Sequence, residues 1–207
     1  MRRLFVAIEV PPEVRAGVEE SFARWRAALP RARWVPPHNL HVTLWFIGPV
    51  RSHLVAEVSS AVEAAASTVG PFATRLNGVG AFPSAARARV LWAGLDDRAG
   101  CMATLALALD AELGAAFPPQ VREFHPHLSV ARCDPPVRLP DMATGIDLPP
   151  FTVSRAVLFE SCARRGAAPR YEAMAAHPLA GDACGRTPVR VASPSSSAAG
   201  RARDLAE

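Results

Sequence analysis

Two short segments of the chain repeat one pattern, His41-Val42-Thr43-Leu44 and His127-Leu128-Ser129-Val130. Each sets an imidazole two residues before a hydroxyl. Side chains alternate along a strand, so His41 and Thr43 share one face, and Val42 and Leu44 share the other. The same holds for His127 and Ser129 against Leu128 and Val130. Free imidazole titrates near pH ~6.5, so two histidines facing each other can act as general acid and general base. The hydroxyls can donate hydrogen bonds to phosphate oxygens held between them. In-line displacement at phosphorus needs one group to deprotonate the nucleophile and another to protonate the leaving oxygen. If the leaving oxygen is protonated directly, no metal is required. A single His-x-Thr is a weak signal; two on strands, each followed by an apolar residue and similarly placed in the two halves, are far more specific. The competing reading is two ordinary strands with half-exposed histidines.

Other residues invite rival readings. His125 shares the strand parity of His127 and competes with it as catalyst or as a metal partner. Pro126 between them and the lack of a third ligand nearby favour a rim residue instead, and no metal site is expected. His38, His53 and His177 lack a hydroxyl at +2 and read as surface or loop residues. Arg132 offers a rigid donor fork for a substrate phosphate, but its parity is opposite to His127, and a salt bridge at the strand end explains it equally well. Trp45 shares the parity of His41 and Thr43, which makes it the preferred aromatic for stacking on a base, ahead of Phe46 and Phe124. Trp25, Trp34 and Trp92 are assigned to packing. Gly78-Val79-Gly80 reads as a loop, not a dinucleotide fingerprint, because no helix opens after it.

Alternating strands and helices position these residues. Leu4–Glu9 reads as a buried strand and Pro11-Pro12 as a helix start. Val14, Val18, Phe22, Trp25 and Leu29 form one helical stripe. Trp34-Val35 and His41–Phe46 read as strands, Gly48-Pro49 as a turn, and roughly His53–Thr68 as a second helix. Strands are expected at Phe72–Val79, Val90–Gly94, His127–Ala131, Phe151–Glu160 and Arg170–Ala176, with a helix at Gly100–Leu113 and a proline-rich connection from Pro135 to Pro150. Several connections suit antiparallel hairpins, so the class is α+β.

The 207 residues, half of them hydrophobic, suffice for a sizeable core. The net charge of +4 permits an anionic partner without the cationic field of a duplex-coating protein. Every positive side chain is arginine, which excludes Schiff-base chemistry and a P-loop lysine. The four cysteines form no CxxC motif and read as reduced. The N-terminal apolar run stops at Glu9, too early for a signal peptide, and no stretch approaches a membrane span. The expectation is a cytoplasmic monomer, away from membranes. From Pro178 large apolar residues become scarce, and 178–207 reads as a disordered tail rich in Ser, Ala, Arg and Pro.

The sequence resembles the 2H phosphoesterases, and within them the RNA 2′,3′-cyclic phosphodiesterases, also called 2′-5′ RNA ligases (the LigT/ThpR-like group). The resembling residues are Arg3–Ile8, Trp34–Pro37, Asn39–Gly48, Arg89–Gly94, Pro126–Arg132, Phe159–Ser161 and the strand around Tyr171. They cover residues 1–177. The resemblance implies one bilobal, pseudo-symmetric domain, each lobe an antiparallel sheet with helices outside, and an active-site cleft between them. It implies metal-independent hydrolysis of a terminal ribose 2′,3′-cyclic phosphate on RNA to a 2′-phosphate, without a cofactor, and a reverse 2′-5′ joining activity. His41 would protonate the leaving 3′-oxygen, His127 would activate water, and Thr43 and Ser129 would hold phosphate oxygens. Ser129 stands where the family usually has threonine, and His38 where an acidic residue is more usual. Alternatives are a phosphodiesterase of a small cyclic phosphate, a non-catalytic RNA-end-binding module, and a metal-dependent hydrolase.

Overall fold

In the computed structural model, residues 1–118, 123–141, 145–163, 166 and 168–182 are described. The chain opens with strand β1 (Arg2–Glu9), buried without interruption from Leu4 to Ile8. It is covered on both faces: Leu4, Val6 and Ile8 enter the main core, while Phe5 and Ala7 join Val157, Phe159 and Tyr171 in a smaller cluster. The predicted first helix is two, α1 (Pro12–Ser21) and α2 (Ala23–Ala28), broken at Phe22. The apolar stripe survives the break, and Val14, Val18, Phe22, Trp25 and Leu29 are all buried.

There follow β2 (Arg33–Trp34), a 3-10 turn at Pro37–Asn39, β3 (His41–Val50) and α3 (Val55–Ala66). Next come β4 (Phe72–Thr74), β5 (Leu76–Phe82), β6 (Ala88–Leu95) and α4 (Cys101–Leu113). The Asp97 carboxylate accepts the Met102 and Ala103 N–H groups at 2.9 and 3.0 Å, satisfying orphan donors at the start of α4. The chain continues through β7 (His127–Val137), β8 (Phe151–Val153), β9 (Arg155–Cys162) and β10 (Arg170–Pro178).

The class is α+β, as expected, with all strand pairings antiparallel. The two lobes, however, do not carry separate sheets. One eight-stranded sheet runs β10-β9-β1-β3-β7-β6-β5, with β2 also on β7, and β4 pairs with β8 apart from it. The halves meet at β3 and β7, joined by the single pair Val42↔Leu128. Helix α4 packs on β3, and α3 packs on α4, β9 and β10. The main core extends through both halves as one cluster.

Several elements differ from the sequence reading. Gly48-Pro49 is not a turn: β3 runs on to Val50, and Gly48, at φ +86°, sits at a bulge where Phe5 pairs Phe46 and Leu4 pairs Gly48. Gly78-Val79-Gly80 lies within β5, not in a loop. The strand expected over Phe151–Glu160 is divided at Ser154, because β8 leaves the main sheet to pair with β4. The packed structure also continues past the expected boundary at residue 177. Pro178 ends β10, Leu179 is buried, and the Leu179 N–H donates to the Ser154 carbonyl at 2.9 Å. The Gly181 N–H donates to the Val69 carbonyl at 3.2 Å, and a Cβ there would collide with the Thr68 backbone, so this close approach requires glycine. The remainder of the expected tail, 183–207, lies outside the described residues. Among the described residues, no helix is long and apolar enough to cross a membrane.

Candidate active site

Strands β3 and β7 both begin at the seam, with His41 and His127 as their first residues. Val42 lies directly opposite Leu128. One step along each strand sets His41 beside Ser129 and Thr43 beside His127, on the face opposite the core. The four side chains form a square with the imidazoles at opposite corners. Diagonal neighbours across an antiparallel pair lie about 7–8 Å apart at the backbone, a span that a phosphate between two imidazoles would fill. The pairing is short because the overlap is short: farther along, β2 takes the place of β3 beside β7, with Trp34 opposite Ala131 and Arg33 opposite Arg132.

Each histidine is held in the same way. His41 Nδ1 lies 2.7 Å from the Asn39 carbonyl, and His127 Nδ1 lies 2.7 Å from the His125 carbonyl. A carbonyl only accepts, so both Nδ1 atoms carry the proton, and Nε2 is the atom left to exchange one. Aromatic walls fix the rings. His41 meets Phe5 at 4.9 Å and Tyr171 edge-on at 5.0 Å; His127 meets Phe82 edge-on at 5.0 Å and Trp92 at 6.4 Å. A Cβ on Gly80 would collide with the Trp92 indole, so glycine there lets Trp92 lie across β5.

Burial favours the neutral imidazole. It lowers His41 from 6.5 to about 4, helped by the positive forms of His127, Arg132 and Arg15 and opposed by the hydrogen bond to Asn39. His127 is lowered by burial, with His125 and Arg132 adding to the effect and the hydrogen bond to the His125 carbonyl opposing it. Both are therefore neutral at pH 7 in the free protein.

Matched bulges change what lies beside the quartet. In β3, Ala7 pairs Thr43 and Val6 pairs Trp45, so Leu44 is the extra residue. In β7, Trp92 pairs Ser129 and Leu91 pairs Ala131, so Val130 is the extra residue. Alternation is inverted after each bulge. Trp45 turns into the core, 1% exposed, with its Nε1–H donating to Asp110 Oδ1 at 3.2 Å. Phe46 turns onto the site face, 60% exposed, 6.2 Å from the Phe5 ring. Arg132 likewise turns onto the face of His127 and Ser129, and its charge is felt by His41, His127 and Tyr171.

The family model described as "2'-5' RNA ligase superfamily" matches residues 10–161. The chain belongs to this superfamily. A protein of Thermus thermophilus named RNA 2',3'-cyclic phosphodiesterase is 33% identical over 71% of this chain and 77% of its own length. One of the same name from Geobacillus stearothermophilus is 28% identical over 88% of this chain; the chain spans 59% of that protein. Among solved structures, TT0787 of Thermus thermophilus superposes with a TM-score of 0.73 at 27% identity, covering 87% of this chain and 99% of that one. Escherichia coli LigT complexed with 3'-AMP superposes with a TM-score of 0.72 at 26% identity, covering 86% and 98%.

In this superfamily member, the fold brings His41, Thr43, His127, Ser129 and Arg132 to one face and removes Trp45 from it. Trp92, assigned to packing in the sequence, stands instead on the site face opposite Ser129. His125 precedes β7, its ring packs edge-on against Phe82 and Trp92, and its carbonyl holds His127. His177, read as a surface residue, is buried and hydrogen-bonded to Ser59 Oγ at 3.1 Å. Among the described residues, no group of three or more His, Cys, Asp or Glu side chains can hold a metal ion. The sequence reading ranked Phe46 behind Trp45, although a signal for the reverse order was present: Leu44-Trp45 and Val130-Ala131 each place two apolar residues in succession, which breaks the alternation and marks a bulge.

Proposed function

We propose that the protein hydrolyses a terminal ribose 2′,3′-cyclic phosphate on RNA to a 2′-phosphate by two-histidine acid–base catalysis. The observation that carries this reading is the symmetric quartet, with both Nδ1 atoms committed to backbone carbonyls and both Nε2 atoms free to exchange protons. His127 takes a proton from water as its oxygen attacks phosphorus. His41 gives its proton to O3′ as the P–O3′ bond breaks. Thr43 and Ser129 donate to the two non-bridging oxygens, whose negative charge grows in the transition state. Both imidazoles are depressed in the free protein, so the bound phosphodiester anion supplies the opposite charge that favours protonation of His41. With a 5′-hydroxyl attacking phosphorus in place of water, the same steps form a 2′-5′ phosphodiester as P–O3′ breaks, which is the basis for a weak 2′-5′ ligase activity. The quartet needs neither metal nor cofactor for these proton transfers.

RNA is favoured over a small cyclic phosphate by what surrounds the quartet. Arg33 lies directly opposite Arg132 on the same face, and among the described residues neither has an ion-pair partner. Like charges directly across a sheet repel, and an anionic strand relieves that repulsion. Exposed Phe46 offers a ring to a base. The names of the relatives point to the same substrate. The test compares an oligoribonucleotide ending in a 2′,3′-cyclic phosphate with the corresponding mononucleotide, both with EDTA present. A higher kcat/KM for the oligonucleotide, with a 2′-phosphate product, is expected. Preference for the mononucleotide supports the small-molecule reading, and binding without turnover supports an RNA-end-binding module.

A further inference from the structure

The quartet has approximate two-fold symmetry, but its surroundings do not. A dyad between Val42 and Leu128 exchanges His41 with His127, Thr43 with Ser129, the Asn39 carbonyl with the His125 carbonyl, and the bulge at Leu44 with that at Val130. A ribose cyclic phosphate has a matching symmetry at phosphorus, with two non-bridging oxygens and two ester oxygens, O2′ and O3′. A symmetric set of catalytic groups cannot distinguish the ester oxygens. With O3′ toward His41 and O2′ toward His127, two routes exist. In one, His41 protonates O3′ while His127 takes a proton from the attacking water, the P–O3′ bond breaks, and a 2′-phosphate remains. In the other, the histidines exchange roles, P–O2′ breaks, and a 3′-phosphate remains. Each route forms one P–O bond to water and breaks one ester bond, and one proton transfer through solvent restores the histidines. Rotating the substrate about the dyad converts either outcome into the other. Regiochemistry must therefore come from groups that break the symmetry.

The break lies five residues after each histidine. Equivalent bulges carry both of these positions onto the site face, but one holds Phe46 and the other Arg132. Phe46 is 60% exposed and presents a ring. Arg132 is exposed and presents a guanidinium whose charge reaches both imidazoles. We propose that this pair decides which ester bond breaks: the nucleoside lies toward Phe46 and the phosphate charge toward Arg132, so only one of the two dyad-related poses is occupied. The proposal rests on the cyclic phosphodiesterase reading, in which His41 is the acid and His127 the base, and goes beyond it by naming what fixes the pose and with it the ester bond that His41 protonates.

The experiment hydrolyses a cyclic-phosphate-ended oligoribonucleotide and measures the ratio of 2′- to 3′-phosphate ends by phosphorus NMR. The proteins are wild type, F46L, F46W, R132Q and the exchange variant F46R/R132F, each with its fold verified by circular dichroism. Wild type is expected to give one isomer. F46L and R132Q should each erode the isomer ratio by about tenfold or more, a change of ~1.4 kcal/mol in the difference between two barriers. F46W, which keeps the ring, should preserve the ratio, and the exchange variant should favour the opposite isomer. If F46L and R132Q keep the wild-type ratio, however much slower they are, the proposal is overturned; those two decide it should the exchange variant fail to fold. No hydrolysis by folded wild type would remove the cyclic phosphodiesterase reading itself, and the proposal with it.

Discussion

The imidazoles at the seam are chemically set by two opposing influences, burial from the aromatic walls and hydrogen bonds to carbonyls two residues back. Burial dominates at His41, lowering it from 6.5 to about 4. Between those values the unfolded chain binds a proton that the native site does not, so stability falls as the pH drops from 6.5 through 4 and levels off below it. The loss amounts to at most about 3 kcal/mol from this residue. A His41→Gln variant should show a correspondingly shallower loss in urea unfolding between pH 7 and 4; identical slopes would show that His41 takes up its proton in the folded state as readily as in the unfolded chain. The same depressions place both limbs of the kcat/KM profile of the free enzyme below pH ~6.5, as macroscopic values of the pair. A limb at or above neutral pH would mean that the free site is far better solvated than its aromatic walls imply. The shared face of His41 with Thr43 and of His127 with Ser129 was legible because residue type and a spacing of two require no knowledge of the fold. Their proton affinities were not, because Phe5, Tyr171, Phe82 and Trp92 reach them from strands distant in sequence.

Among the elements, β3 and β7 are the ones whose irregularity matters. A regular β3 would present Trp45 to substrate and bury Phe46; the bulge at Leu44 reverses this, and the bulge at Val130 does the same for Arg132. The reversal is open to a paired test. Trp45→Ala removes a side chain that is 1% exposed and should destabilise the protein by about 3–5 kcal/mol. Phe46→Ala, at a site 60% exposed, should alter stability by about 0.5 kcal/mol or less while raising KM for the oligonucleotide. The opposite assignment of effects would mean that β3 keeps simple alternation. Periodicity located every strand that holds the quartet, yet the parity rule failed just beyond it. A bulge is decided by pairing with β1 and β6, not by the strand's own residues, although the paired apolar residues at both places are its local trace. The split of β8 from β9 was hidden for a similar reason, since Phe151–Glu160 reads as one run until β4 is available as a partner.

Across the whole molecule, the two halves form one frame because they share a sheet and a core, and the quartet of His41, Thr43, His127 and Ser129 lies where the halves meet. The α+β class and the two-part plan followed from the alternation of elements. The joining of the sheets did not, because it depends on one pair, Val42↔Leu128, between segments distant in sequence. The boundary expected at residue 177 was also drawn too early. Leu179 has few apolar neighbours in sequence, and its burial comes from packing against distant segments. A chain ending at Asp182 should keep wild-type melting temperature and turnover, whereas one ending at His177 should melt lower, having lost Leu179 and the backbone bonds to Ser154 and Val69. Equal melting of the two would show that this segment contributes nothing to the frame. The central claim is that the frame presents two imidazoles to one phosphate as acid and base. Its most direct test is single-turnover hydrolysis of a cyclic-phosphate-ended oligoribonucleotide, with EDTA present, by wild type, His41→Ala and His127→Ala. The account predicts that wild type is unaffected by EDTA and that each variant is slower by about 10²–10⁴-fold; a variant retaining the wild-type rate, or activity abolished by EDTA and restored by a divalent metal, would contradict it.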